Sequence, residues 1–309
     1  MNLTSQYVSN PKSRVTYLKS LATYKAMHSS NAKLRLGDDR QILNDKKKYE
    51  IFRLDNIAFK MICCPKGVFT MGASDDQYAN PKRTVSIDQS FLLGETEVTQ
   101  ELFEKVMGYN PSKYQGEEYP NLKQRPVERV TWYDALMFCN KLSERCKKKP
   151  YYNISNIEKT DTTWIRVNNG YVFLPNITNA NVTINDHANG FRLPYQKEWE
   201  YAAKAGTNNR WAGTDDKNKI SEVAWFEGNS EINGNKQTHP IKGKRPNEWG
   251  FYDMTGNVYE WCWEDALGGS WNRPISYLHS TDRRGNYAFH SPSKPAIDIG
   301  FRVSASLFN

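Results

Sequence analysis

The sequence predicts an α+β fold with little regular secondary structure, and three observations predict it. Helical periodicity is sustained in only a few stretches, near residues 100–107, 131–145 and 194–206. Short runs of β-branched and aromatic residues, bounded by Gly, Pro, Asn or Ser, recur from residue 49 to the end, without the strand–helix alternation of a βαβ fold. Aromatic residues make up 13% of the 309, with 9 Trp among them. They supply the large apolar groups that a turn-rich core needs, and a disordered chain would lack them.

Taken in order, Ile57 to Ile62 and Cys63 to Gly72 read as two short strands around the Pro65-Lys66-Gly67 turn. Val85 to Leu93 reads as one further strand. Thr99 is placed to cap a helix over Gln100–Met107, with Glu101 in its first turn and Gly108-Tyr109-Asn110-Pro111 as the stop. Thr131 and Asp134 form a variant capping box, and the helix after them has Trp132, Ala135, Leu136, Cys139 and Leu142 on one face. Pro194 takes the first position of a third helix, which runs to Gly206 at C′. Asn168-Asn169-Gly170, between Trp164–Val167 and Tyr171–Phe173, is a hairpin signal. The last hundred residues offer short strands and turns.

Charge divides the chain into a basic N-terminal appendage, residues 1–50, and a domain over 51–309. Lys+Arg total 42 against 34 Asp+Glu, and the excess sits at the two ends: +6 over residues 1–55, −1 over 56–268 and +3 over 269–309. Lys46-Lys47-Lys48 is too short a run to signal a nucleic-acid partner without an accompanying motif. Mean hydropathy is −0.77 and no long apolar run appears, so no membrane span is expected. The polar start shows no signal peptide, which points to a cytoplasmic or phage-associated protein, or to surface display if an export signal has been removed. The five cysteines, Cys63, Cys64, Cys139, Cys146 and Cys262, form no C-x-x-C or zinc spacing.

Several segments in fixed order then carry a family likeness. They are Val68-Phe69-Thr70-Met71-Gly72, Glu97-Val98-Thr99-Gln100, and Pro126-Val127-Glu128-Arg129-Val130-Thr131-Trp132-Tyr133-Asp134-Ala135. Gly190-Phe191-Arg192-Leu193-Pro194 and Glu198-Trp199-Glu200-Tyr201-Ala202-Ala203 follow. Further on stand Gly250-Phe251-Tyr252-Asp253-Met254, Gly256-Asn257-Val258-Tyr259-Glu260-Trp261-Cys262, Gly268-Gly269-Ser270-Trp271 and Gly300-Phe301-Arg302-Val303. Over roughly residues 57–303 the chain resembles the formylglycine-generating enzyme (sulfatase-modifying factor) family. The resemblance implies a C-type-lectin-like fold in which most of these motifs hold the scaffold together.

The resemblance also frames the chemistry. The family's oxidases use two cysteines after the Gly-Gly-Ser-aromatic motif, whose thiolates bind Cu(I). Alignment on Gly268-Gly269-Ser270-Trp271 places Arg273 and Leu278 at those positions, and no cysteine occurs from Trp263 to Asn309. No copper is therefore expected, and the chain leans away from catalysis. The scattered His28, His187, His239, His279 and His290 likewise form no cluster for the iron-dependent branch. The resemblance implies a structural Ca²⁺ site at Asn257 and Glu260 with the carbonyls of Gly256 and Val258. The alternative has Asn257 satisfying a turn and Glu260 pairing with an arginine.

Relatives encoded beside diversity-generating retroelements vary the surface between Gly-Gly-Ser-Trp and Gly-Phe-Arg. Here Asn272, Arg273, Ser276, Tyr277, His279, Tyr287 and His290 would form that surface, with the composition of an adaptable paratope. The expected function is non-catalytic binding of a protein or other macromolecular ligand, with acidic partners favoured by the local +3. Two alternatives stand beside it: an enzyme of the family with an altered active site, and a basic N-terminus that anchors an assembly or touches nucleic acid.

Overall fold

A computed structural model describes residues 49–74, 77–115, 119, 121–167, 170–185, 187–283 and 291–307. All but the last two residues of the basic appendage lie outside them, as do Tyr287 and His290.

One five-stranded antiparallel sheet organises the chain. Strands β1 (Tyr49–Leu54), β2 (Ile57–Cys64), β5 (Phe91–Gly94), β14 (Ser304–Ser306) and β8 (Phe191–Arg192) lie in the order β1-β2-β5-β14-β8. Both faces of this sheet are buried, as the period-2 alternation of its side chains records. Met61 and Leu92 enter one core, while Ile62, Cys64, Phe91 and Leu93 enter the other. The first core is closed by helices α1 (Gln100–Met107) and α2 (Trp132–Arg145). There Phe103 and Phe138 stack at 5.4 Å, and Phe301 meets Phe138 edge-on at 5.1 Å. The second core is closed by α3 (Gln196–Lys204), through Trp199, Tyr201 and Ala202, together with Phe251 and Met254.

The caps follow the sequence. Thr99 Oγ1 accepts from Leu102 N, and Gly108 ends α1 at φ 85°. Thr131 and Asp134 exchange side-chain-to-backbone hydrogen bonds at 3.0 Å in both directions. Three expectations are corrected. Val85 to Leu93 is two strands, β4 (Arg83–Ile87) and β5, because β4 pairs with β3 (Gly67–Met71) while β5 pairs with β2. The third helix begins after Pro194, since Glu198 Oε2 caps Tyr195 N at 2.9 Å, and it ends in Ala205 at φ 48° before Gly206. The hairpin around residues 168–169, which lie outside the described residues, is far longer than its turn signal implied. Its strands are β6 (Tyr152–Val167) and β7 (Gly170–Ile184), and they form a sheet of their own.

The remaining elements are short: helix α4 (Ile220–Val223), the β9 (Glu231–Ile232) and β10 (Asn235–Lys236) pair, and a three-stranded sheet. That sheet has β11 (Tyr259–Trp261) between β12 (Ala266–Leu267) and β13 (Ile299–Phe301). No helix among the described residues is long and apolar enough to cross a membrane.

Candidate functional site: the surface between Trp271 and Gly300

The surface starts from two glycines in the left-handed region, Gly268 at φ 96° and Gly269 at φ 74°. A Cβ on Gly269 would collide with Leu278 and with the Tyr277 carbonyl, so the chain folds back on itself here only because the residue is glycine. Trp271 is fixed at both ends: its backbone N donates to Asn257 O at 2.8 Å, and its indole N–H donates to Ile297 O at 3.2 Å. Below it, Tyr114 packs edge-on at 5.5 Å, and Val258 completes a small buried cluster. Pro274 then introduces a 3₁₀ turn over Ile275–Tyr277.

On that frame the expected recognition residues separate by role. Ser276 is exposed, while Asn272, Tyr277 and His279 are half-buried. Asn272 Oδ1 accepts from Ser270 Oγ at 2.8 Å, and the His279 ring meets the Trp211 ring edge-on at 5.3 Å. Arg273 is committed: its Nη2 donates to the buried Asp298 at 3.1 Å, and its guanidinium lies near the rings of Tyr259 and Tyr277. Leu278 is fully buried with Trp211, Ile220, Val223 and Phe226. The two positions aligned with the oxidases' thiols thus hold an ion-paired guanidinium and a core side chain. Asp298 and Tyr114 were not foreseen from the sequence. The only hint of Asp298 is its place two residues before Gly300-Phe301-Arg302.

The cysteines lie elsewhere and form no disulfide. Cys64, Cys139, Cys146 and Cys262 are buried, and burial pushes the Cys262 and Cys64 thiols well above their ordinary range.

The residues of the implied calcium site come together, but around protein partners. Glu260 Oε1 accepts from Arg302 Nη2 at 2.5 Å, and Oε2 accepts from Arg302 Nε at 2.6 Å and Trp199 Nε1 at 2.7 Å. Asn257 Oδ1 accepts from His239 N at 2.9 Å, while its amide donates to Glu97 Oε2 at 2.9 Å. Gly256 sits at φ 78°, and Val258 N donates to Glu97. With both carboxylate oxygens of Glu260 bonded to cationic or indole donors, this arrangement does not fit calcium; it matches the alternative in which Glu260 pairs with an arginine. Among the described residues no group of three or more His, Cys, Asp or Glu could hold a metal ion.

Burial sets the ionisation of this region. Desolvation pushes Glu97 well above the usual carboxylate range, with Asp253 and Glu260 adding to the rise. His239 is lowered to about 4 by burial; it stacks on Trp225 at 3.6 Å and its Nε2 meets Ser230 O at 3.0 Å.

Comparisons with known proteins agree with this geometry. Residues 53–307 match the sulfatase-modifying factor enzyme 1-like domain. The chain is 41% identical over 204 residues to the chaperone protein LppX of Paenibacillus barcinonensis, covering 62% of this chain and 67% of that protein. It is 26% identical over 299 residues to the formylglycine-generating enzyme of Mus musculus, covering 80% and 75%. Among solved structures it is similar to Treponema denticola variable protein 1, with a TM-score of 0.70 and 31% identity over 84% of this chain and 99% of that one. The two buried Arg–Glu clamps, Arg192–Glu198 and Arg302–Glu260, lie in the motifs that carried the resemblance. The chain belongs to the sulfatase-modifying factor enzyme 1-like domain family and has its C-type-lectin-like fold.

Proposed function

We propose that this chain is a non-catalytic recognition module whose ligand-facing surface lies between Trp271 and Gly300. The observation that carries the reading is the division of labour just described. Arg273 is anchored on Asp298 and Leu278 is in the core, while Asn272, Ser276, Tyr277 and His279 stand partly or wholly open on a fixed frame. Such a surface suits a macromolecular ligand: polar and aromatic groups of limited flexibility give contact at low entropic cost. The excess of basic residues after residue 268 favours a protein partner with an acidic face. The similarity to a variable protein supports the further reading that these positions are diversified by a retroelement. A reverse transcriptase and template repeat beside the gene would accompany that arrangement.

Randomising Asn272, Ser276, Tyr277 and His279 together tests the module. Most library members are expected to keep Tm within about 5 °C of the parent, as surface changes do, and to yield binders to an acidic protein when displayed. Randomising Leu278 and Asp298 is expected to unfold most members. General loss of folding in the first library would overturn the reading. So would conversion of a peptidyl cysteine to an aldehyde by the copper-supplied, aerated protein, which would instead support an oxidase with an altered site.

A further inference from the structure

Away from that surface, a groove of about 470 Å³ runs beside the β1–β2 hairpin, within the size range of small-molecule sites. Its floor holds Glu95, 6% exposed, and each of its oxygens takes a different lysine. Lys60 Nζ donates to Oε1 at 2.7 Å and Lys242 Nζ to Oε2 at 2.5 Å. Both lysines line the groove and remain about a third to a half exposed. Two ammonium groups on one buried carboxylate leave one positive charge in excess. Each ammonium uses one of its N–H groups on Glu95 and carries further donors at the groove wall. Glu97 also lines the groove, but its oxygens accept from Val258 N and Asn257 Nδ2.

Lys242 is held here at a conformational cost. Its φ is 64°, a region that a side chain with a Cβ enters at about 1–2 kcal/mol. Asp253 Oδ2 fixes it there by accepting from Lys242 N at 2.9 Å. Strain of this kind, over-determined by its surroundings, gathers at ligand sites. The opposite wall is apolar: Ile51, which is exposed, and the half-buried Ile57 and Phe59.

We propose that this groove binds a carboxylate with an apolar body, its headgroup between Lys60 and Lys242 and its hydrocarbon part on Ile51, Ile57 and Phe59. Excess positive charge at one end and apolar surface at the other select for that chemistry, which either a free acyl acid or the C-terminus of an apolar peptide would supply.

Titration calorimetry on the full chain tests it, with octanoate, octanamide, and acetyl-Ala-Ile-Leu as the acid and as the amide. Both acids are expected to bind at least about tenfold more tightly than their amides, because only they engage two charged donors. Lys60→Gln and Lys242→Gln are each expected to weaken octanoate binding about tenfold, and Ile51→Ser, at an exposed position, to weaken octanoate more than acetate. Tighter binding of the peptide acid than of octanoate assigns the groove to a peptide terminus, and the reverse order to a free acid. Equal binding of acids and amides, unchanged affinity in both lysine variants, or no binding at about 10 mM would overturn the proposal. Should a lysine variant fail to fold, amide shift mapping on the parent decides. Octanoate is expected to move residues 57–60, 95–97 and 240–242, and shifts confined elsewhere would overturn the site.

Discussion

Arg302 uses every side of its guanidinium. Two nitrogens go to Glu260, and the others reach the carbonyls of Gly94 and Tyr252. Both partners are fully buried, so removing either leaves a charge without compensation. Arg302→Ala is expected to lose about 3–5 kcal/mol in urea unfolding, and the double variant Arg302→Met/Glu260→Met much less than the sum of the singles. Near-additive losses would count against a coupled pair. His239 makes a pH prediction with the opposite sign from the buried acids. An unfolded histidine titrates near 6.5 and the folded one at about 4. Between these values only the unfolded chain takes up a proton, so this contribution is complete above about pH 6.5 and is lost as pH falls through about 4. His239→Gln is expected to flatten the acid limb of stability against pH. Glu128, raised to about 8 by burial, behaves inversely, its contribution being lost as pH rises from its ordinary range through about 8. Glu128→Gln should therefore gain on the parent at pH 9 relative to pH 5, read from denaturant midpoints.

At the scale of elements, the β6–β7 arm carries the clearest expectation. Its base is docked, with Tyr152 buried and bound to Asn140 through two hydrogen bonds, but beyond Thr160↔Asn176 its strands pair only with each other. Joining Thr160 to Asn176 through an Asn-Gly turn is expected to move Tm by less than about 4 °C, since an unsupported two-stranded ribbon contributes little stability of its own. A larger fall would place the arm within the cooperative unit. Thr131→Ala, by contrast, should cost about 1 kcal/mol through loss of the α2 cap. The same elements show what was legible beforehand. Caps were readable because their partners lie three residues apart. The hairpin's turn was readable and its length was not, since its flanks mix Asn, Thr and Ile without clean alternation. The break at residues 88–90 was hidden because two strands of similar composition join different sheets.

For the whole molecule, order along the chain was more informative than any single segment. Motifs scattered from residue 68 to residue 303 predicted one scaffold, and the Arg–Glu clamps and buried indoles explain why they recur together. The recognition surface was legible as a composition, whereas Asp298, Tyr114 and the lysine-lined groove depend on contacts between distant segments. Calcium offers a check at this scale: with Glu260 bound to Arg302, millimolar Ca²⁺ is expected to leave Tm unchanged. A clear rise in Tm would mean that the ion displaces the guanidinium.

The position of β14 has a consequence for synthesis. Residues 304–306 lie between β5 and β8, the middle of the sheet being completed by its latest segment in sequence. A nascent chain halted before residue 304 holds two unzipped strand borders and cannot join its left and right portions, so productive closure must wait for translation to pass that point.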